Sequence, residues 1–448
     1  MGDQDDKTLP INANDKIGPT TVISDTSFPF QEKENNGLID IPSGVIIEEK
    51  FQFIKQLDEG GCGSIFLVKD TLTGSQYALK AVSNKVKESS ILSFEVQVMK
   101  RLKNKKNVCQ LISSGKNNRF TYVIMTLLGQ SLFDLIIQEK FFSKSTAIRV
   151  SIQCLLGIKQ IHEVGFVHRD IKTENFLKGH GTERIIYLVD FGLVREYVKI
   201  NPSGKIEKRK ARVKCGFRGT TKYASINAQE NQEQGRCDDL ISLLYCTAEF
   251  LKKLPWDYDD NEKVKLVKKE TLTKDIFPDL PELAACLVYL YGLNYYVRPD
   301  YHKVFTFYKA EMDKLEVQFD DPYDWEISKN PTQKILPKKK ENNDSTTTVY
   351  DNKKRGTSNR TTKNGSNLKT RIAKARRSLR KTSRRLRNSF RRRNNRNNDD
   401  SNSNIINENA FIEKNVEPEK ANNKKKDIQS STNFEEIEQE FKKNIIGL

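Results

Sequence analysis

Long apolar runs are missing from this 448-residue chain. No stretch approaches the roughly 20 apolar residues that a membrane span needs. The N-terminus lacks the basic-then-apolar order of a secretory signal, and Asp6 stands where a myristoylation signal after Gly2 wants Ser or Thr. These absences lead to the expectation of an intracellular protein, cytoplasmic or nuclear, without a lipid anchor. Paired cysteines are missing too. The seven cysteines (Cys62, Cys109, Cys154, Cys215, Cys237, Cys246, Cys286) are odd in number and never spaced C-x-x-C. That pattern argues against a disulfide framework or a zinc site and fits a reducing compartment. No internal repeat is evident, so a repeat array is not expected.

What is abundant is positive charge, +18 formally, a value that suggests nucleic-acid binding until it is mapped along the chain. Between Lys369 and Arg396 there are 14 Lys or Arg and no acidic residue, which leaves about +4 for everything else. The basicity belongs to a tail.

The length allows one large two-lobed domain or two to three average ones. Residues 1–45 are polar and without sustained periodicity, the composition of a disordered segment. Alternation over Phe51 to Leu57, a glycine cluster, and Ser64 to Val68 predict strand, turn and strand; Tyr77 to Val82 predicts a third strand. Ile91, Phe94, Val98 and Leu102 predict an amphipathic helix with Glu95 beside its apolar stripe. After a strand over Tyr122 to Met125 the pattern turns helical. Ser143 is a candidate cap for a helix burying Ile148, Ile152, Leu155, Leu156 and Ile161, and Cys237 to Leu251 reads as a more deeply buried helix. Beyond Trp325 the apolar content is too low to offset the entropy of ordering. The expected organisation is therefore a disordered segment 1–45, a folded domain 46–325, and a mostly disordered basic tail 326–448. Within that tail, 433–446 repeats Phe434, Ile437, Phe441 and Ile445 at helical spacing and is a candidate docking helix.

The residues that carry chemistry occur in a fixed order. His168-Arg169-Asp170 is followed by Lys172, Asn175 and then Asp190-Phe191-Gly192, with Ile185 to Val189 reading as a strand that delivers Asp190. Phosphoryl transfer asks little covalent work of protein groups; it needs a hydroxyl aligned with the γ-phosphate and the spreading charge neutralised. This order resembles the catalytic loop of protein kinases. By that resemblance Asp170 would supply the carboxylate that orients the hydroxyl and Lys172 a cation for the transferring group, while Asn175 and Asp190 are oxygen donors suited to Mg²⁺. Upstream, Tyr77-Ala78-Leu79-Lys80 is similar to the kinase strand whose lysine holds ATP α- and β-phosphates, with Glu95 as its expected partner. Leu57-Asp58-Glu59-Gly60-Gly61-Cys62-Gly63-Ser64-Ile65 resembles the glycine-rich loop that covers ATP, with Gly60 and Gly63 as the small residues that permit close backbone approach. Each piece alone has a bland reading as a turn, a surface lysine or a solvated helix residue. Five in order, each on the expected type of element, outweigh them.

Over about Phe51 to Phe307 the chain further resembles the casein kinase I group, tau-tubulin kinase branch and nematode-type relatives. The carriers are Gly216-Phe217-Arg218-Gly219-Thr220, Tyr223-Ala224-Ser225-Ile226-Asn227-Ala228, Gly235-Arg236-Cys237-Asp238-Asp239-Leu240 and Arg298-Pro299-Asp300-Tyr301. The resemblance implies an α+β, bilobal protein-kinase fold: a small β-rich N-lobe, a larger helical C-lobe, and disordered N- and C-terminal tails. It implies a monomeric catalytic domain that uses ATP and Mg²⁺ to phosphorylate Ser or Thr of protein substrates. By resemblance Thr220 bonds Asp170, Asp239 braces the catalytic loop, Met125 is the gatekeeper, Leu128 lies in the adenine-contacting hinge, and Ser225-Ile226-Asn227 replaces the usual Ala-Pro-Glu. The group's preference for acidic or phosphorylated substrates points to Lys222, Lys263 and Lys265 as an anion subsite. Lys205, Lys208, Arg209, Lys210, Arg212 and Lys214 form either added positive charge for such substrates or a solvated run.

Three positions depart from the pattern: Asp58 replaces a glycine, Cys62 an aromatic, and Thr173 the proline that often follows the catalytic-loop lysine. A second functional reading is a pseudokinase scaffold, with Asp58 marking a cleft that no longer holds ATP productively. For the basic run three readings stand beside a solvated tail: an amphipathic helix on an anionic membrane, an RNA-binding or nuclear-import segment, and a site for an acidic partner.

Overall fold

The computed structural model describes residues 31–32, 37–60, 63–258, 260–328 and 434–444. Gly61 and Cys62 of the glycine cluster and the basic run 369–396 lie outside the described residues. The described chain divides into two compact units.

The first unit takes the residues up to Lys103 together with Gln110–Leu127. Its elements are β1 (Gln31–Glu32), β2 (Ile39–Asp40), β3 (Ile46–Ile47), β4 (Phe51–Gly60), β5 (Gly63–Asp70), β6 (Gln76–Ser83), α1 (Glu88–Arg101), β7 (Leu111–Lys116) and β8 (Phe120–Thr126). Six of the strands form one antiparallel sheet in the order β3-β4-β5-β6-β8-β7. Alternating side chains from these strands, among them Phe51, Phe53, Phe66, Leu79 and Ile124, fill its core. Ile39 and Ile41 join the same core and are 0% and 5% exposed. The ordered chain therefore starts before residue 46, where the polar composition suggested that folding begins; two isoleucines in nine residues suffice because β2 seats them on an existing apolar face. In α1 the buried face is Leu92, Glu95, Val96, Val98 and Met99. Ile91 and Phe94, read from the sequence as part of the apolar stripe, are 43% and 36% exposed. The helix is turned by about one residue from that reading, which brings Glu95 to the inside.

The second unit comprises Asn104–Cys109, the chain from Leu128 to Ser328, and 434–444. Its strands are short: β9 (Leu128–Ser131), β10 (Phe166–Val167), β11 (Phe176–Gly179), β12 (Ile186–Leu188), β13 (Arg195–Glu196), β14 (Val198–Ile200) and β15 (Ile206–Lys208). Its mass is helical: α2 (Leu132–Glu139), α3 (Lys144–Glu163), α4 (Ile226–Gln229), α5 (Arg236–Leu251), α6 (Asn261–Glu270), α7 (Thr273–Ile276), α8 (Pro281–Tyr291), α9 (Tyr301–Lys314), α10 (Asp324–Ile327) and α11 (Phe434–Lys442). Ser143 caps α3 by accepting from the Thr146 backbone N–H, as its position before the apolar repeat predicts. Nearly all of α3 and α5 is buried, so these two helices are the centre of the unit. The chain up to Ser328 is fastened by Arg149 of α3. Its buried guanidinium donates to the carbonyls of Asp321 and Pro322 and lies over the Tyr323 ring, while Trp325 stacks on Tyr323. An antiparallel β-rich unit followed by a larger helical one is the architecture that the resemblance implied. No described helix is long and apolar enough to cross a membrane. The six described cysteines are buried.

Candidate active site

In the first unit, the extended β6 and the inward face of α1 meet through one ion pair. Lys80 Nζ lies 2.6 Å from Glu95 Oε2, both side chains almost fully buried. A buried charge is tolerated only when paired and hydrogen-bonded, so the pair fixes where the Lys80 ammonium points. Of the expected phosphate loop, the described residues end β4 and begin β5. Gly63 has φ +113°, and a Cβ there would meet the Ala81 carbonyl at 2.5 Å. Only glycine fits that approach. Gly60 borders open space instead, so no packing demand explains it. Leu57 and Asp58 are exposed. Ser64, read from the sequence as a loop residue toward ATP, is buried and accepts from the Ile39 N–H at 3.0 Å. Its hydroxyl serves the core, because β5 alternation turns it inward. Met125 sits near the end of β8, and the chain passes into the second unit between Leu127 and Leu128.

The second unit assembles the remaining groups on the loop between β10 and β11 and on the turn after β12. Asp170 is the hub. Its Oδ1 accepts from the Thr220 hydroxyl at 2.7 Å, and its Oδ2 lies 3.0 Å from Lys172 Nζ. Its backbone carbonyl accepts from Asn175 Nδ2 at 2.9 Å, which turns the amide nitrogen inward and leaves the harder oxygen for other work. Burial opposes the Lys172 charge, but Asp170, Glu174 and Asp190 favour it and hold its pKa above the usual lysine value. Asp190 follows β12 with φ +65°, and its Oδ1 accepts from the Gly192 N–H at 3.4 Å. Arg169 also adopts a left-handed φ, +67°. Such strain persists only where surroundings over-determine it, and here they do. Arg169 Nε donates to the Leu193 carbonyl at 2.7 Å, and Gly219, φ +106°, packs where a Cβ would meet the Arg169 carbonyl at 2.5 Å.

Asp239 of α5 braces this loop. It accepts from the backbone N–H groups of His168 (2.6 Å) and Arg169 (2.8 Å) and lies 2.9 Å from His162 Nε2. Burial pushes the Asp239 pKa up, yet the hydrogen bonds and charge of its histidine neighbours outweigh it and hold the carboxylate below its ordinary value. The neighbouring Asp238 takes a different set: the Ser225 hydroxyl at 2.5 Å, the Gly235 N–H at 2.7 Å and the Asn227 amide at 3.3 Å. Burial dominates there and its pKa is pushed up to about 6. Ser225-Ile226-Asn227 thus anchors the segment after Thr220 to the start of α5.

Several partners escaped the sequence reading. Thr173, marked as a departure, is fully buried and bonds the Tyr223 hydroxyl at 3.0 Å and Glu249 at 3.2 Å. Glu249 also accepts from Tyr223 and lies 2.5 Å from Lys222 Nζ. Lys222 is therefore not presented as an unpaired cation for substrate anions; Asp257, at 3.5 Å, flanks it as well. Lys265 is paired with Glu262 at 2.6 Å, and Lys263 lies over the Tyr258 ring at 4.0 Å. Of the basic cluster, Arg209 pairs with Glu196 and Arg212 with Glu233, whereas Lys205, Lys210 and Lys214 are exposed. No sequence signal marks Glu249 as the partner of Lys222: it lies 27 positions on, in the interior of an apolar helix.

Residues 51–285 match the family model described as protein kinase domain. A putative serine/threonine-protein kinase of Caenorhabditis elegans is 37% identical over 293 residues, covering 64% of this chain and 84% of that protein. A protein of the same organism named inactive tau-tubulin kinase is 36% identical over 236 residues, 50% of this chain and 81% of the other. A putative casein kinase I of that organism is 31% identical over 312 residues, 66% and 89% of the two chains.

Proposed function

The chain belongs to the protein kinase domain family, and from that premise we propose that it transfers the γ-phosphoryl group of ATP to Ser or Thr hydroxyls of proteins. The observation that carries the reading is the held carboxylate of Asp170, fixed through one oxygen by Thr220 and through the other by Lys172. A carboxylate offers about four lone-pair positions, so each oxygen keeps one for a substrate hydroxyl. Asp170 accepts that proton as the hydroxyl oxygen attacks, and Lys172 stands beside the accumulating negative charge.

Asn175 and Asp190 are the residues that would hold magnesium, and hard oxygen donors of this kind fit it. When bound, Mg²⁺ neutralises charge on the phosphate oxygens. Lys80, positioned by Glu95, would bind the α- and β-phosphates, under the turn that Gly63 closes. Acidic or phosphorylated substrates remain the proposed class by resemblance, with exposed Lys210 and Lys214 as the available cations in place of Lys222.

Replacing Asp170 with Asn tests the assignment. Transfer to a casein-like acidic substrate is expected to fall by a factor on the order of 10² to 10⁴, with ATP affinity, measured by titration calorimetry, little changed. Unchanged turnover would refute the role of Asp170. The relative named inactive gives a specific reason to hold the scaffold reading in view. If the parent chain binds ATP with Mg²⁺ but phosphorylates no Ser or Thr peptide, primed or unprimed, that second reading replaces the first.

A further inference from the structure

Residues 329–433 separate Ser328 from α11, yet α11 packs on α9 and α3 of the second unit. Phe434 contacts Phe305 and Phe319 with ring centroids 5.5 and 5.1 Å apart, and Phe441 stacks on Phe305 at 5.0 Å. Ile437 and Phe441 are 1% and 2% exposed. Phe434, Ile437 and Phe441 stand at i, i+3 and i+7, which makes one continuous apolar stripe. A nine-residue helix is marginal alone in water, so its order derives from the surface it covers.

The charges around that surface are complementary. α11 carries Glu435, Glu436, Glu438 and Glu440, four acidic residues in nine. Lys106 lies 2.8 Å from Glu436, His302 lies 3.7 Å from Glu438, and Arg298 donates to the Lys443 carbonyl at 3.2 Å. Exposed pairs of this kind add little affinity but select the sign of what docks. An apolar floor around Phe305, with Lys106 at its rim facing Glu436, recognises a short acidic amphipathic helix.

We propose that this face is a docking groove whose occupant is the chain's own Phe434–Lys442, bound reversibly in cis. The covalent link gives the chain's own helix an effective concentration that a second copy in dilute solution does not match. Docking returns the chain to the second unit, to which Ser328 also belongs. The proposal does not depend on the phosphoryl-transfer reading.

A protease site inserted between Asn423 and Lys424 of the full chain tests it without altering either partner. After cleavage the C-terminal fragment is expected to co-elute with the remainder at low micromolar concentration and to be lost when Phe441 is replaced by Glu. A labelled peptide of residues 432–446 is expected to bind the full-length Ile437→Glu, Phe441→Glu chain about tenfold or more tighter than the parent, whose groove is filled. Adding Phe319→Ser to that chain is expected to weaken the peptide again. Separation of the fragment after cleavage, together with no binding of the peptide to the Ile437→Glu, Phe441→Glu chain, would overturn the groove. Equal peptide binding to parent and variant would overturn its being the seat of α11. Exchange of fragments between differently labelled intact chains, with dimers in light scattering, would overturn cis occupancy in favour of a second copy.

Discussion

Two lysine–glutamate pairs, one in each unit, look alike and do different work. Lys80–Glu95 and Lys222–Glu249 close at 2.6 and 2.5 Å. In the first, strand and helix converge on the lysine, and the glutamate aims the ammonium. In the second, the glutamate is the hub: Glu249 gathers Lys222, Tyr223 and Thr173 and so ties the segment after Thr220 to the catalytic loop. The lesson is that a lysine beside a catalytic motif is not thereby a ligand for anions. Its carboxylate neighbours decide whether its charge is offered or consumed.

The largest effect is expected from breaking the first pair. Glu95→Ala leaves Lys80 buried without this carboxylate, a change of a kind that costs about 3–5 kcal/mol, and it frees the ammonium to leave its position. We expect kcat/KM for ATP to fall about a hundredfold or more, close to 2.7 kcal/mol in transition-state terms, with a lowered urea midpoint. A variant that keeps both parental activity and stability would remove the contrast between the two pairs.

Breaking the second pair is expected to do something else. Glu249→Gln retains a polar group for Tyr223 and Thr173 but removes the nearer of the two carboxylates that flank Lys222. Stability is expected to fall by about 1–3 kcal/mol, the cost of a weakened buried hydrogen-bond set, while KM for an acidic or phosphorylated peptide falls about three- to tenfold as Lys222 becomes available. If stability drops and KM for acidic and neutral peptides stays the same, Lys222 has no part in substrate choice and the pair is purely a brace.

The same contrast explains what could be read from the sequence. Asp170, Lys172, Asn175 and Asp190 sit within 21 positions of one another, on one loop and the turn after one strand, so chain connectivity nearly fixes their proximity. Glu95 was legible because strand-to-helix spacing constrains it. Glu249 and Asp238 were not legible as partners, because their contacts join a helix to loops far away in the sequence, and periodicity carries no information on which loop passes a given helix face. The place of the Ser64 hydroxyl was not legible for a related reason: the residue was read by its motif, whereas strand alternation puts the hydroxyl against Ile39. In α1 the apolar residues outnumbered the buried positions, and the paired Glu95 chose the face. The stripe of α11 was visible, but the surface that receives it was not.

Lys268 extends the comparison to a third lysine, one held by carbonyls. Only 2% exposed, its Nζ donates to the carbonyls of Thr221 (2.9 Å) and Ala224 (2.6 Å), which bracket Lys222 and Tyr223, and lies 5.0 and 5.5 Å from the Tyr245 and Trp256 rings. Burial pushes its pKa well below the usual lysine value. The folded chain therefore releases this proton before the unfolded chain does. Its contribution is fully present above the unfolded lysine value of about 10.4 and declines as pH falls through the folded value. Lys268→Met deletes two donors to buried carbonyls and, by that loss, is expected to cost about 1–3 kcal/mol near neutral pH. Urea midpoints followed from pH 7 to 10 should show the parent gaining on the variant as pH rises. A gap that is constant with pH would mean that Lys268 stays charged in the fold, and that two carbonyls and two rings hold an ammonium as firmly as the carboxylates hold Lys80 and Lys222.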